Sequence, residues 1–346
     1  MKFGLFGGAT VRGSDTVSDS SQDYEQFIDY ICEAEDLGYA SAFLVEHHFT
    51  GFNQVSATLS LLTYLAAKTS RIRLGTAVTV LPWHNPVLLA EQVATLDLLS
   101  KGRLDFGVGK GYRHNEFHGF CIPIEESHER YMEALEILKK ALTSKERFSH
   151  HGKRWHFDDI VVEPSAVQRP HPPMWVGAGS PLGIENAAKD NFNLLLDQFG
   201  TPEVTGERIR LYREALAKNN LKYNPYRVGL TRALHIAMNP KEREEAHALR
   251  AKFLNFVNEL ARDSKQASSL AVPSSYSDTR LATEKAALIG DPEEIITRLK
   301  DLQKNGVEYV LLIDVGGSRE ALRHFAREVM PEFKEPAEAT TGLAMA

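Results

Sequence analysis

The stretch from Arg71 to Tyr112, RIRLGTAVTVLPWHNPVLLAEQVATLDLLSKGRLDFGVGKGY, decides the fold. Arg71 to Leu81 is an apolar, β-branched run ending in Pro-Trp, the pattern of a strand buried on both faces. Asn85-Pro86 then supplies an N-cap and a first-turn proline, Leu89, Val93 and Leu96 recur at helical spacing, and Lys101-Gly102 closes the helix. A second strand, Arg103 to Val108, follows at once. Strand, helix, strand in so short a span is a βαβ unit, so the strands are parallel and the crossover right-handed. Both strands run out at the same sheet edge, which brings Pro82, Trp83 and His84 toward Lys110, Tyr112 and His114. That edge is the candidate site.

Working outward, the same alternation recurs on both sides. Lys2 to Phe6 reads as a strand ending in Gly7-Gly8, and a polar loop from Thr10 to Ser21 leads to a helix with Phe27, Ile31 and Ala34 on one face. Ala42 to Val45 is the second strand, followed by Glu46, His47 and His48, and residues 54–68 form a helix. Beyond Tyr112 come a helix over 125–143 and an aromatic segment near 148–163 that reads as an inserted β-hairpin. Strand five is Pro172 to Gly177, strand six Phe192 to Leu196, strand seven Val228 to Ala237 and strand eight Val307 to Ile313, with helices at 202–218, 240–261 and 318–329 between and after them. Ser180-Pro181 and Asp291-Pro292 each open a helix by the cap-then-proline rule. Eight strands alternating with helices predict one (β/α)8 TIM barrel over residues 1–334, with a mobile loop near 263–283 and a disordered tail over 335–346.

Composition limits the function. The formal net charge is −6 and no block of like charges occurs, which excludes a nucleic-acid binder. No apolar run reaches transmembrane length, and Lys2 is followed by too short an apolar stretch for a signal peptide. Cys32 and Cys121 stand far apart without a CxxC partner, which fits a reducing cytoplasm.

In a barrel of this kind, chemistry sits at the C-terminal ends of the strands. Those ends deliver Gly7 and Gly8, Glu46 to His48, Pro82 to His84, Lys110, Tyr112 and His114, Gly177 to Ser180, Asp197, Arg232 with His235, and Asp314, Gly316 and Gly317. An imidazole titrating near neutrality suits a general acid or base, so Glu46-His47-His48 reads either as catalytic or as a pair of half-buried loop histidines. Gly177-Ala178-Gly179-Ser180-Pro181 lies where free N–H groups at a helix start suit a phosphate, or where a tight turn needs glycine. A rival takes GAGSPLG with Asp197 as a dinucleotide fingerprint, but the motif falls on the fifth strand and its glycine spacing is off by one. Gly107-Val108-Gly109-Lys110-Gly111 permits close backbone approach next to a cation, while Trp83, Tyr112 and Trp175 are aromatic rings suited to stacking on a flat group. No metal site is expected. The first strand lacks an HxH pair, and His114 with His118 finds no third ligand.

Together MKFGLF, VEHHFTGF, the forty-residue stretch through GRLDFGVGKG, WVGAGSP and IGDPEEIITRL with GVEYVLLI resemble the bacterial luciferase-like family of flavin-dependent monooxygenases. The resemblance implies a (β/α)8 barrel that binds reduced FMN at its mouth and uses O2 to oxygenate a small organic substrate, with the flavin supplied by a separate NAD(P)H:flavin reductase. It implies proton transfer by His47, and cofactor contacts from Glu46, Thr76, Ala77 with a non-proline cis peptide nearby, Lys110, Gly111, Tyr112, Ala178, Gly179 and Ser180. His114, Arg232 and His235 are the expected substrate residues, the last two suiting an anionic or carbonyl-bearing molecule or else only pairing with Asp197 or Glu163, and a homodimer through the early helices, around Leu59 to Leu65, is the expected assembly. Two alternatives within the fold are hydride transfer with the deazaflavin F420 and flavin binding without catalysis. Gly109 stands where light-emitting relatives carry a reactive cysteine and Lys110 where they carry arginine, so luminescence is not expected.

Overall fold

Strand and helix alternate along nearly the whole of a computed structural model that describes residues 1–9, 17–51, 56–261, 284–314 and 318–334. The strands are β1 (Lys2–Gly7), β2 (Ser41–Leu44), β3 (Arg73–Thr76), β4 (Thr79–Val80), β5 (Leu104–Gly109), β6 (Phe148–His151), β7 (His156–Ile160), β8 (Met174–Gly177), β9 (Asn193–Leu196), β10 (Val228–Ile236), β11 (Leu288–Gly290) and β12 (Tyr309–Asp314). The α-helices are α1 (Val17–Leu37), α2 (Thr58–Lys68), α3 (Pro86–Leu99), α4 (His114–Gly119), α5 (Ser127–Thr143), α6 (Pro181–Lys189), α7 (Pro202–Lys218), α8 (Pro240–Ala261), α9 (Pro292–Lys304) and α10 (Arg319–Glu328). Parallel pairing runs β1-β2-β3-β5-β8-β9-β10-β12 and returns from β12 to β1, which closes an eight-strand barrel. The pair β6–β7 is the inserted antiparallel hairpin. The expected loop at 263–283, the glycines 316 and 317 and the tail at 335–346 lie outside the described residues.

Local chemistry explains the elements. Asn85 caps α3, its Oδ1 accepting from the Val87 and Leu88 N–H groups at 3.0 and 3.2 Å, and Leu89, Val93 and Leu96 are buried as their spacing predicts. Burying each such side chain contributes about 1.5–3 kcal/mol. Asp97 is buried on the same helix because Gln168 satisfies both of its oxygens. At α9, Asp291 and Glu294 form a reciprocal capping box.

The interior of the barrel is filled toward its N-terminal end. Phe43, Trp175, Leu195, Tyr309 and Leu311 pack together there. Beside them Arg73 chelates Asp105 (Nε to Oδ2 2.6 Å, Nη2 to Oδ1 3.0 Å), and Trp175 Nε1 donates to Asp105 Oδ1 at 3.0 Å. Trp175 is therefore part of this plug and not a ring at the mouth.

Three expectations about elements are corrected. The third strand is not continuous from Arg71 to Leu81: it breaks into β3 and β4 around a cis Ala77–Val78 peptide. Helix α1 reaches back to Val17, inside the segment expected to be a polar loop. Helix α4 and strand β11 were not anticipated, since six and three residues are too few for a periodic pattern to register. Among the described residues no helix is long and apolar enough to cross a membrane.

Candidate active site

Glu46 is the hub of the rim where β2 ends. Only 3% exposed, its Oε1 accepts from His84 Nε2 at 2.7 Å, His48 Nε2 at 3.0 Å and Trp83 Nε1 at 3.2 Å, while Oε2 accepts from the Val80 N–H at 2.9 Å. Burial alone would raise its pKa. The hydrogen bonds from His48 and His84, the charge on His84 and the Val80 N–H outweigh that and bring it down to about 2. Because a carboxylate can only accept, both rings must carry their proton on Nε2. The His48 ring is thus tied to the hub, and the adjacent His47 ring turns to a different partner.

His47 Nδ1 lies 3.0 Å from Glu116 Oε1, and the same oxygen accepts from the His48 backbone N–H at 3.0 Å. The carboxylate therefore sets the tautomer: Nδ1–H donates to Glu116, and Nε2 is the nitrogen left for a reactant. Burial lowers the His47 pKa below its ordinary 6.5, the Glu116 hydrogen bond works in the opposite direction, and the nearby charge of Arg113 adds to the lowering. Glu116 and Arg113, both almost fully buried on or beside α4, were not singled out from the sequence. Asn115 of the same helix donates to the carbonyls of His48 and Phe49, so α4 clamps the loop that carries His47. The only signal in the sequence was the polar cluster in YRHNEF.

Where β3 breaks, Thr76 Oγ1 donates to the Gly107 carbonyl at 2.7 Å and accepts from the Gly107 N–H at 2.8 Å. The hydroxyl takes the place of a ladder bond, and it is completely buried. Thr76 is thereby corrected from a cofactor contact to a strand tie. Ala77, half-buried at the cis peptide, reaches the interior beside Phe43. The glycine run on β5 follows from this bulge, because a Cβ on Gly107 would stand 1.9 Å from the Thr76 carbonyl oxygen and one on Gly109 2.5 Å from a Val78 methyl. Gly111 turns the chain at φ +76° under Trp83, Lys110 is exposed at the rim, and Tyr112 and His114 are half-buried just beyond it. Gly109→Cys, which brings in the residue that the resemblance implies for light-emitting relatives, is expected to cost about 1–3 kcal/mol from overpacking against β-branched Val78. Chemical denaturation measures it, and a variant as stable as the parent would show that the bulge yields.

At the end of β8, Ser180 caps α6 by accepting from the Gly183 N–H at 3.2 Å, and Pro181 starts the helix. Ala178 and Gly179 precede it, and Gly177 has open space where a Cβ would project. Arg208, also missed from the sequence, lies beside this loop: a Cβ on Gly179 would be 3.2 Å from its guanidinium. Arg208 Nη1 donates to Asp197 Oδ2 at 2.8 Å, and Asp197 Oδ1 accepts from the Phe199 and Gly200 N–H groups. Asp197 is thus spent on Arg208 of α7 and on its own loop, which speaks against the dinucleotide reading that needs it for a ribose. Arg232 is corrected as well. Its guanidinium donates to the carbonyls of Gly200, Thr231 and Asp197 at 2.6, 2.9 and 3.2 Å, and its burial lowers the pKa to about 10 against the pull of Asp197. It braces the β9–α7 loop. His235 stays half-buried on β10 next to β11.

His47, Ala77, Lys110 and Ser180 follow the ends of four successive barrel positions, β2, β3, β5 and β8. Three inter-strand steps span roughly 15 Å, the reach of a planar tricyclic ring with a phosphorylated side chain. Thr79 Oγ1 and Gln198 Oε1, both at this rim, are buried without a hydrogen-bond partner. Unanswered polar atoms around an open glycine loop fit a flavin mononucleotide. Among the described residues, no three His, Cys, Asp or Glu side chains come together for a metal.

The family model described as luciferase-like monooxygenase matches residues 1–309. The oxygenase component of flavin-dependent trigonelline monooxygenase from Acinetobacter baylyi is 27% identical, over 97% of this chain and 96% of its own. An FMNH2-dependent dimethylsulfone monooxygenase from Pseudomonas putida is 27% identical over 95% of this chain and 93% of its own. The solved structure of monooxygenase RslO1 from Streptomyces bottropensis superposes with a TM-score of 0.81 over 96% of this chain and 100% of that one, a likeness of fold at 24% identity. Matched over most of its length by the family model, and nearly end to end by two flavin-dependent relatives, this chain belongs to the luciferase-like monooxygenases.

Proposed function

We propose that the protein is the oxygenase component of a two-component system, using FMN reduced by a separate NAD(P)H:flavin reductase and O2 to oxygenate a small organic substrate. The observation that carries this reading is the held tautomer of His47, a neutral imidazole at a rim that also bears the Ser180 anion loop. Reduced FMN, when bound, supplies the electrons that activate O2. The residues of the chain do the rest: Ala178 to Ser180, with Arg208 alongside and Lys110 at the rim, hold the phosphate, Ala77 and Val78 bear on the ring, and His47 moves a proton through Nε2. The two relatives named for flavin-dependent oxygenation support the reductase-fed arrangement.

A homodimer is part of this proposal, with its face corrected. Leu61, Leu62 and Leu65 point inward, whereas Leu88, Leu98 and Leu99 of α3 and Tyr64 of α2 are exposed. A helix apolar on its outward side as well as its inward one suits a partner. The two widely spaced free cysteines support a reducing cytoplasm as its location on this reading.

Titrating the purified chain with FMN, riboflavin and F420, and following reoxidation of added reduced FMN by O2, tests the function. FMN should bind tightest, riboflavin weaker for lack of the phosphate, and the protein should add a phase to flavin reoxidation. Tighter binding of F420, or no binding of any of the three, would reject it.

A further inference from the structure

We infer that the substrate carries an anionic group, a carboxylate or a group of like charge, and that Arg113 receives it beside His47. This deepens the oxygenase reading and rests on it. Arg113 is only 4% exposed, and neither its Nε nor its Nη1 makes a hydrogen bond. The acceptor that approaches it, Glu116 Oε1, is 3.9 Å from Nη1, beyond hydrogen-bond reach, and already takes the His47 Nδ1–H and the His48 N–H. Glu116 balances the charge of Arg113 without answering its donors.

Other arginines in this fold are treated differently. Arg103 donates through all three of its nitrogens to Ala66, Thr69, Ile72 and Ser100; Arg73 chelates Asp105; Arg232 meets three carbonyls. In these three the guanidinium serves the architecture and meets acceptors. A buried cation with unanswered N–H groups is costly in the ligand-free protein, and a charged acceptor arriving from outside removes that cost through the strong, charge-assisted bonds that guanidinium groups make.

Position fixes what that acceptor is. Arg113 Nη1 and His47 Nδ1 face one carboxylate oxygen, at 3.9 and 3.0 Å, so an anion held by Arg113 places its molecule next to the His47 ring. The adjacent Asn115 Oδ1, also buried without a partner, offers an acceptor for a donor on the same molecule. Arg232, the arginine expected from the sequence to meet substrate, spends both terminal nitrogens on backbone carbonyls, which leaves this role to Arg113.

Matched probes test the inference: acetate with acetamide, benzoate with benzamide, and nicotinate with nicotinamide, titrated calorimetrically into the full chain with and without FMN. In the wild type at least one acid should bind ten-fold or more tighter than its amide. The preference should fall below three-fold in Arg113→Gln and persist in weakened form in Arg113→Lys, which keeps the charge without the planar fork. No acid preferred over its amide in the wild type, or a preference undiminished in Arg113→Gln, overturns the inference. If Arg113→Gln does not fold, the wild-type panel and Arg113→Lys decide. Failure of FMN to bind would sink the oxygenase reading instead, and the flavin-free arm keeps the two failures apart.

Discussion

His47→Ala should turn over at least about 100-fold more slowly than the wild type, the ordinary contribution of a positioned acid–base group, while FMN affinity changes by less than about three-fold. The loss should fall on kcat and kcat/KM alike, since the proton transfer is made only in the transition state. The expectation follows from the arrangement around the ring. Glu116 holds the proton on Nδ1, and burial together with Arg113 keeps the pKa below 6.5, so at neutral pH Nε2 is a free base. Activity should therefore persist below pH 6.5 and decline as His47 becomes protonated. Glu116→Gln removes the influence that raises this pKa, so its acid limb should move to lower pH. Its amide can present either N or O to Nδ1, so part of the rate should be lost too, with Glu116→Asp recovering some of it. Unchanged kcat in His47→Ala would remove this residue from the mechanism, and a Glu116→Gln profile superimposable on the wild type would reduce Glu116 to a structural tie.

Glu46→Ala should destabilise the fold by about 3–5 kcal/mol, because it leaves buried hydrogen-bond donors of Val80, Trp83, His48 and His84 without their acceptor. Urea denaturation at pH 7 measures it, and a loss under about 1 kcal/mol would show that water replaces the carboxylate freely. The same residue gives the wild type an acid limit of stability. Its pKa is about 2 in the folded chain against an ordinary 4.5, so the unfolded chain binds the proton more readily. The stabilisation, about 3 kcal/mol at one kilocalorie and a third per unit, is complete above pH 4.5 and is lost as pH falls toward 2. Glu46→Gln should flatten that part of the stability curve. A wild-type curve with no slope between pH 4.5 and 2 would mean that the carboxylate is not held low.

How far the sequence could be read differs from residue to residue. Asn85-Pro86, Leu89, Val93 and Leu96 announced α3 correctly because a cap and a helical period are local properties of a chain. The glycines of GVGKG were recognised as points of close approach, yet what approaches them, the Ala77–Val78 bulge and the Thr76 carbonyl, became visible only with β3 and β5 side by side. The resemblance assigns Thr76 to the cofactor, and its place on strand seven assigns Arg232 to the substrate. The fold instead engages one with Gly107 and the other with three carbonyls, since a polar side chain buried there must satisfy itself on the nearest backbone.

The sequence by itself determined the alternation of strand and helix, the barrel, and the EHH, GVGKG and GAGSP segments at the C-terminal ends of its strands, because periodicity and turn chemistry act over a few neighbouring residues. Tertiary structure alone decided how the His47 ring is oriented and which of its nitrogens is protonated. The partner that fixes it is Glu116, 69 residues from His47 along the chain, and a hydrogen bond of 3.0 Å between them is a fact of three-dimensional packing that no local pattern encodes.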